Sequence, residues 1–385
     1  MRKNIVIIGG GFAGVSALRE LYRYRRYLDG FNIILFDKRC GFEFLPVLPD
    51  IIGGRVSGDR LNVDLGKFCK KHNCSFINKE ITGVELEKNE IKDSGGIVTP
   101  YEYLIISSGS RTNFFDMDHL KENCFKLDSI EDAVAINKEL LARSGRDNEL
   151  NVIVIGGGYT GIEITANVYY LFMKIGKKCR IHIIDKAPDI LMMVPGWMRK
   201  YVRNYLERVR INIKCNDSLK AYDGKTATLE SGEELNDAFC IWAPGVKTSD
   251  YVNGLPGEKA GTRIKVDPFL NIQGSSYEKV FVAGDSAAFY DEKLGQPIRM
   301  AVMFSMGQGK IAARNVVSSI MKRPLKKYKA IDMGYLVPLA FGKAPGIILN
   351  VPVKGRLGYF MHYFMCIYRS EWQNKFGMLK DLIVR

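Results

Sequence analysis

Two glycine clusters carry most of the chemistry that this sequence can do. Gly9-Gly10-Gly11-Phe12-Ala13-Gly14 and Gly156-Gly157-Gly158-Tyr159-Thr160-Gly161 have the spacing of a turn whose bare backbone approaches a pyrophosphate, with N–H groups and the positive end of a helix dipole behind it. An acid follows each at nearly the same separation, Asp37 at 28 residues from Gly9 and Asp185 at 29 from Gly156. A carboxylate there accepts from ribose hydroxyls and repels a 2′-phosphate, so Asp185 favours NADH over NADPH, with Lys186 beside it partly offsetting the repulsion. One such motif is weak, because many strand-to-helix turns are rich in glycine. Two with matched spacing form an internal repeat and point to two dinucleotides. Two more carboxylates bear on the chemistry. Glu163, in Gly161-Ile162-Glu163, reads by itself as a first-turn acid favoured by the helix dipole, and Asp285 either caps the helix after it or contacts a cofactor.

These residues need elements to position them. Asn4-Ile5-Val6-Ile7-Ile8 is an apolar run of the kind buried in a parallel sheet; it leads into the first glycine cluster, helix-like spacing from Val15 to Tyr27, and a second run, Asn32 to Phe36, that ends at Asp37. Asn151 to Ile155 and Arg180 to Ile184 repeat the pattern around the second cluster. Two further runs, Tyr101 to Gly109 and Ala238 to Gly245, each close a buried strand with a glycine, and Lys279 to Asp285 closes a third with a carboxylate.

Composition bounds the class. With 385 residues, 46 % hydrophobic and 25 % charged, the chain holds two or three ordinary globular domains, and a mean hydropathy of -0.08 excludes a polytopic membrane protein. Eight cysteines without a CxxC pair, and no signal-peptide core before Asn4, lead us to expect a reducing, cytoplasmic interior and no metal site. The net charge of +14 suits anionic cofactors, nucleic acid or an anionic membrane surface alike. Much of the excess is C-terminal, with seven basic residues and no acid from Lys310 to Lys329.

Beyond the glycine clusters, Asp37-Lys38-Arg39-Cys40-Gly41-Phe42-Glu43-Phe44-Leu45-Pro46, the stretch from Tyr101-Glu102-Tyr103-Leu104 to Gly109-Ser110-Arg111-Thr112-Asn113-Phe114-Phe115, Trp242-Ala243-Pro244-Gly245-Val246 and Ala283-Gly284-Asp285 follow in order. Over nearly its whole length the chain resembles the two-dinucleotide flavoproteins and, within them, the type II NADH:quinone dehydrogenases. The resemblance implies an α/β fold of two nested Rossmann-like units, with an FAD-binding domain built from 1–112 and 250–329, an NADH-binding domain at 113–249, and a C-terminal membrane-associating region at 330–385. It implies that Gly9, Gly11, Phe12, Ala13, Gly14, Asp37, Lys38, Val84, Ser108, Gly109, Asp285, Met300 and Ala301 serve FAD, and that Gly156, Gly158, Tyr159, Thr160, Gly161, Asp185 and Gly245 serve NADH. Glu163 matches the family glutamate near nicotinamide and isoalloxazine, where it tunes nicotinamide docking or relays a proton to the acceptor. Cys40, in the matched segment, is expected to be a small buried residue rather than a redox thiol.

One departure bears on the acceptor. Where the family carries glutamines beside flavin and quinone, this chain reads Met300-Ala301-Val302-Met303-Phe304-Ser305-Met306-Gly307, with Ser305 and Met306 in the expected acceptor pocket. Two amides that could hold a quinone carbonyl are replaced by an apolar, polarisable lining. The implied function is FAD-dependent NADH oxidation with two-electron reduction of a membrane quinone, as in a respiratory chain and without proton pumping. Two alternatives stay open: a reductase of a disulfide, oxygen or a carrier protein, and an NADH-sensing flavoprotein that binds a partner. No CxxxxC follows the first unit, which argues against a disulfide reductase.

From Met333 onward short β-like stretches lead to Lys354-Gly355-Arg356. Leu357, Phe360, Met361, Phe364, Met365, Ile367, Tyr368 and Trp372 then set a broad apolar face with Arg356, Arg369, Lys375, Lys380 and Arg385 at its margins. The segment has no uninterrupted apolar run of about 18 residues and so is not expected to span a bilayer, but it suits the interface of an anionic membrane, which would place the protein as a peripheral, monotopic one on the cytoplasmic face of the cell membrane. A helix pair over a core, or a homodimer face, is the competing reading. Nucleic acid is not expected as a partner.

Overall fold

The computed structural model describes residues 2–145, 149–291 and 295–369. The chain divides into two compact units, one of Met1–Phe42, Val63–Arg111 and Lys247–Asp332, the other of Glu43–Asn62, Thr112–Val246 and Met333–Arg385.

The first unit is built on a five-stranded parallel sheet in the order Val280–Val282, Tyr103–Ile106, Lys3–Ile8, Phe31–Asp37, Ser75–Asn78. Its central strand is covered on both faces, and Ile5, Val6 and Ile7 are wholly buried, which is why the sequence there is continuously apolar instead of alternating. Helix Phe12–Arg23 leaves the first glycine turn and packs against helix Val302–Ile320. The two backbones meet at Gly309, where a Cβ would stand 2.0 Å from the Ala13 carbonyl oxygen. Arg314, from the basic run, turns inward there and donates to Glu20 at 2.6 Å.

In the second unit a four-stranded parallel sheet runs Asn212–Cys215, Cys179–Asp185, Leu150–Ile155, Ala238–Trp242, the same arrangement about the glycine-turn strand as in the first. Trp242 stacks on Phe114 with ring centroids 5.3 Å apart and donates its indole N–H to the Asn113 carbonyl at 2.8 Å. A three-stranded antiparallel sheet (Gly334–Leu336, Gly346–Ile348, Val351–Val353) precedes helix Gly355–Arg369. No helix among the described residues is long and apolar enough to cross a membrane.

Three local expectations change. Cys40 is exposed: the Leu65 N–H ties down its carbonyl at 2.9 Å, and its thiol turns outward to Asn78 Oδ1 at 3.1 Å. Residues 43–62, numbered with the first domain by sequence, cluster with the second unit, because Leu48, Ile51 and Ile52 bury the short helix Leu48–Ile52 against helices Ile130–Arg143 and Tyr159–Ile175. The C-terminal apolar residues divide between two faces. Leu357, Phe360, Phe364 and Tyr368 are exposed, whereas Ile367 turns inward with Tyr363. Trp372, Lys375, Lys380 and Arg385 lie outside the described residues.

Candidate functional site

The two glycine turns have nearly identical geometry. Gly9 and Gly156 take φ of +96° and +100°, and a Cβ on either would strike the neighbouring strand end, Ser107 O at 2.3 Å and Ala243 O at 2.7 Å. Gly14 and Gly161 let the helix sit on the turn, since a Cβ on either would come within 1.8 Å of the Gly9 or Gly156 oxygen. Gly11 and Gly158 differ: they begin the helices, no side chain caps them, and nothing lies within 4 Å of where their Cβ would be. The space a pyrophosphate would need is therefore open at the third glycine of each cluster, against the positive end of a helix.

Each acid does more than await a ribose. Asp37 accepts Gly10 N–H at 2.6 Å through one oxygen and Arg39 N–H at 2.8 Å through the other; Asp185 accepts Gly157 N–H at 2.5 Å and Ala187 N–H at 2.7 Å in the same way. The carboxylates staple the glycine turn to the end of the next strand. Each oxygen keeps a second lone pair, so a ribose hydroxyl still has an acceptor. Burial lifts the Asp37 carboxyl above the ordinary aspartate value, against the pull of the two N–H groups. The residues present fit one dinucleotide in each unit.

Three strand ends converge around the first turn. Ser107 donates to the Ile8 carbonyl at 2.8 Å, and the Ser108 and Ser286 hydroxyls lie 3.2 Å apart. Gly284 sits against Ala13 and Ser305, whose Cβ and Oγ would be 3.1 and 3.5 Å from an added Cβ. Asp285 accepts from Ser110 at 2.8 Å; burial raises its carboxyl, opposed by Ser110, Arg263 and Ser305. Gly109 takes φ +70° beside open space, and Met300, Ala301 and Met306 are half-buried at the start of helix Val302–Ile320. Lys38, next to Asp37, pairs with Glu80 at 3.6 Å, and Val84 lies in an antiparallel sheet opposite Ile91.

Sequence reasoning misses Gln308 here. Although both family glutamines read as lost, Gln308 is almost wholly buried and its Oε1 accepts Gly284 N–H at 2.7 Å, fixing the strand end that carries Asp285. Its place on one helix with Ser305 was the available signal.

In the second unit Gly245 approaches the Phe115 ring at 3.1 Å from its would-be Cβ, and its carbonyl accepts Asn113 N–H at 3.0 Å. Tyr159 meets Tyr335 edge-on at 5.9 Å, and Thr160 is exposed. Glu163 lies on the first turns of helix Tyr159–Ile175, half-buried, with its carbonyl accepting Asn167 Nδ2–H at 3.0 Å. Burial, joined by the nearby Asp50 charge, pushes its carboxyl well above the usual glutamate value. An acid so placed carries a proton at pH values where an ordinary glutamate has released it.

A family model described as pyridine nucleotide-disulphide oxidoreductase matches residues 3–313. The chain belongs to this family. Among curated proteins, the type II NADH:quinone oxidoreductase of Haemophilus influenzae is 24 % identical over 425 residues, covering 98 % of this chain and 95 % of that protein. The enzyme of the same name from Staphylococcus haemolyticus is 24 % identical over 379 residues, covering 94 % and 93 %. Among solved structures, NDH2 from Plasmodium falciparum in complex with NADH superposes with a TM-score of 0.83 at 18 % identity, covering 100 % of this chain and 98 % of that one. The sulfide:quinone oxidoreductase of Aquifex aeolicus gives 0.80 at 20 %, covering 100 % and 93 %. These likenesses share the pyridine nucleotide-disulphide oxidoreductase fold with its two parallel sheets, and the twin glycine turns described above lie within the matched residues.

Proposed function

We propose that this oxidoreductase oxidises NADH and reduces a quinone with FAD as its resident cofactor, the reaction named for its near-full-length curated relatives. The observation that carries the reading is the pair of equivalent, open glycine turns: one chain with two dinucleotide cradles is built to pass electrons between dinucleotides. The first turn, with Asp37, Ser108 and Asp285, would hold FAD; the second, with Asp185, would hold NADH. Flavin, when bound, supplies the two-electron chemistry that no side chain of the protein offers.

The protein's part is binding, orientation and one proton. NADH surrenders two electrons and one proton as hydride, whereas a quinone takes two electrons and two protons to become the quinol. Glu163 supplies the second: its O–H bond breaks, the proton goes to a quinone oxygen, and the carboxylate regains a proton from water. The sum is NADH, a proton and quinone to NAD⁺ and quinol. The bonds from Ser110 to Asp285 and from the Gly284 N–H to Gln308 hold the strand end in place.

The deciding experiment is anaerobic and has two stages. NADH is expected to bleach the flavin absorbance of purified holoprotein in stopped flow, and a menaquinone or ubiquinone analogue to restore it within seconds. Bleaching that persists with every quinone tried would retain NADH oxidation and overturn the acceptor.

The acceptor's solubility in lipid gives the exposed apolar face of helix Gly355–Arg369 its use. Leu357, Phe360, Phe364 and Tyr368 lie on one side, with Leu349 and Val351 exposed on the preceding hairpin, and they would rest in the interface of an anionic membrane. Phe360→Glu with Phe364→Glu should lower co-sedimentation with anionic vesicles by at least about tenfold, since burying each ring is worth roughly 1.5–3 kcal/mol. Undiminished sedimentation would remove the membrane reading. Deleting the helix is a poorer test, because Tyr359 and Tyr363 on its other face hold a buried charge.

A further inference from the structure

The second unit buries an ion pair that the cofactor sites do not use. Asp50 and Arg55 have side chains 3 % and 6 % exposed, and Arg55 Nη1 donates to Asp50 Oδ1 at 2.6 Å. A buried pair of this kind is seldom more stabilising than apolar packing of the same volume, so its presence asks for a role.

Its partners connect two helices. Tyr363, wholly buried on helix Gly355–Arg369, donates its hydroxyl to Asp50 Oδ1 at 2.7 Å and accepts from Arg55 Nη1 at 2.6 Å. Tyr359, one turn earlier, accepts from Arg55 Nη2. The guanidinium also lies over the rings of Tyr363 at 5.0 Å, Tyr359 at 5.4 Å and Tyr170 at 5.4 Å, the last from the helix that carries Glu163. The segment bearing the pair is pressed onto that same helix: a Cβ on Gly53 would stand 2.6 Å from Asn167 Oδ1, and Asn167 is the residue bonded to the Glu163 carbonyl.

Among the described residues, several titratable groups surround Asp50, with Lys174 at the nearby Gly54 carbonyl. Arg55 comes from its own segment, Glu163 from the neighbouring helix, and Tyr359, Tyr363 and His362 from the C-terminal helix. His362 is pushed down to about 4 by burial and by Arg55, so it is neutral near pH 7. Burial raises Asp50 while Arg55 and the Tyr363 hydroxyl pull it back. With a guanidinium in direct contact, the ion pair is the state at neutral pH.

We propose that Asp50 and Arg55 are positioning residues for Glu163: a buried unit, seated on the C-terminal helix through Tyr359 and Tyr363 and pressed through Gly53 onto Asn167, that sets the charge environment of the helix turn carrying Glu163. This rests on Glu163 as the proton source above. Asp50 presents a negative charge that opposes ionisation of Glu163, Arg55 keeps Asp50 charged, and Tyr363 orients both. The face of the helix opposite its exposed apolar residues thereby reaches the proton-carrying group.

The test reads Glu163 directly in the flavin-loaded, full-length protein. The infrared carbonyl stretch of its protonated carboxyl, assigned by its loss in Glu163→Gln, is followed against pH. In Asp50→Asn the negative neighbour is gone and Arg55 loses the Asp50 counter-charge. Both changes favour the Glu163 carboxylate, so the band should titrate away at lower pH, by about one unit or more, a tenfold change in proton affinity. Tyr363→Phe keeps the ring and the packing and should move the band in the same direction by less, which guards against a misfolded Asp50→Asn. A lower melting temperature in either variant with the titration unmoved would make the pair merely structural and overturn the proposal, as would a wild-type carboxyl already ionised below neutral pH. Reoxidation by quinone is measured in parallel. A wild-type protein that no quinone reoxidises loses the proposed acceptor, and the infrared titration still decides the role of Asp50.

Discussion

Alanine at Gly11 should give a folded protein depleted of flavin, and alanine at Gly158 a folded, yellow protein that NADH no longer bleaches at concentrations saturating for wild type. Both positions have negative φ, and both would place a methyl group in open space, so neither strand, helix nor turn is disturbed. The methyl is felt only when a pyrophosphate approaches the helix N-terminus. Holding the phosphates off by an ångström forfeits charge-assisted hydrogen bonds worth roughly 1.5–3 kcal/mol each, which is at least about tenfold in affinity. Gly14→Ala and Gly161→Ala serve as contrasts. Their methyl groups would meet backbone oxygens at 1.8 Å, so both cofactor binding and folding should suffer together. Flavin content from the absorbance spectrum, NADH affinity from stopped-flow bleaching and melting temperature separate the cases. Flavin lost from Gly158→Ala and kept in Gly11→Ala would exchange the two assignments. Normal binding in both would show that the phosphates lie elsewhere.

That contrast also shows which parts of this molecule are legible in its sequence. A glycine turn is local chemistry: the positive φ of Gly9, the close helix approach at Gly14 and the staple from Asp37 to Gly10 all arise within one strand–helix–strand unit. The second unit repeats the same local solution, so spacing alone identifies both. The Asp50–Arg55 unit is of another kind. In sequence nothing singles out Asp50 or Arg55, and their main partner, Tyr363, is 313 residues from Asp50. Nothing periodic announces a pairing across that separation. Gln308 was hidden for a related reason, since its amide oxygen accepts from a strand-end N–H 24 residues away and does not serve the motif beside it. Cys40 shows the limit of reading a segment by similarity: a hydrogen bond to its carbonyl decided which way its side chain would turn.

Glu163→Gln should leave bleaching by NADH close to the wild-type rate and slow reoxidation by quinone roughly a hundredfold, the lower end of what a positioned proton donor contributes. Glutamine keeps the size and can still hydrogen-bond through its amide, but it has no acidic proton to give. The wild-type reoxidation rate should fall as pH rises through the lifted value of the Glu163 carboxyl, and the variant should lose that dependence. Stability carries an independent signature. Between the unfolded glutamate value of about 4.3 and the raised native one, the native protein holds a proton that the unfolded chain has released. Unfolding then releases a proton, so this residue's contribution to stability is intact below the unfolded value and declines as pH rises, by at most about 1.4 kcal/mol per pH unit. Glutamine cannot titrate. Its urea midpoint relative to wild type should therefore climb with pH across that window, even if the two proteins match in acid. A constant difference between the midpoints would mean that Glu163 ionises as an ordinary surface glutamate does, and the proton for the acceptor would have to come from water alone.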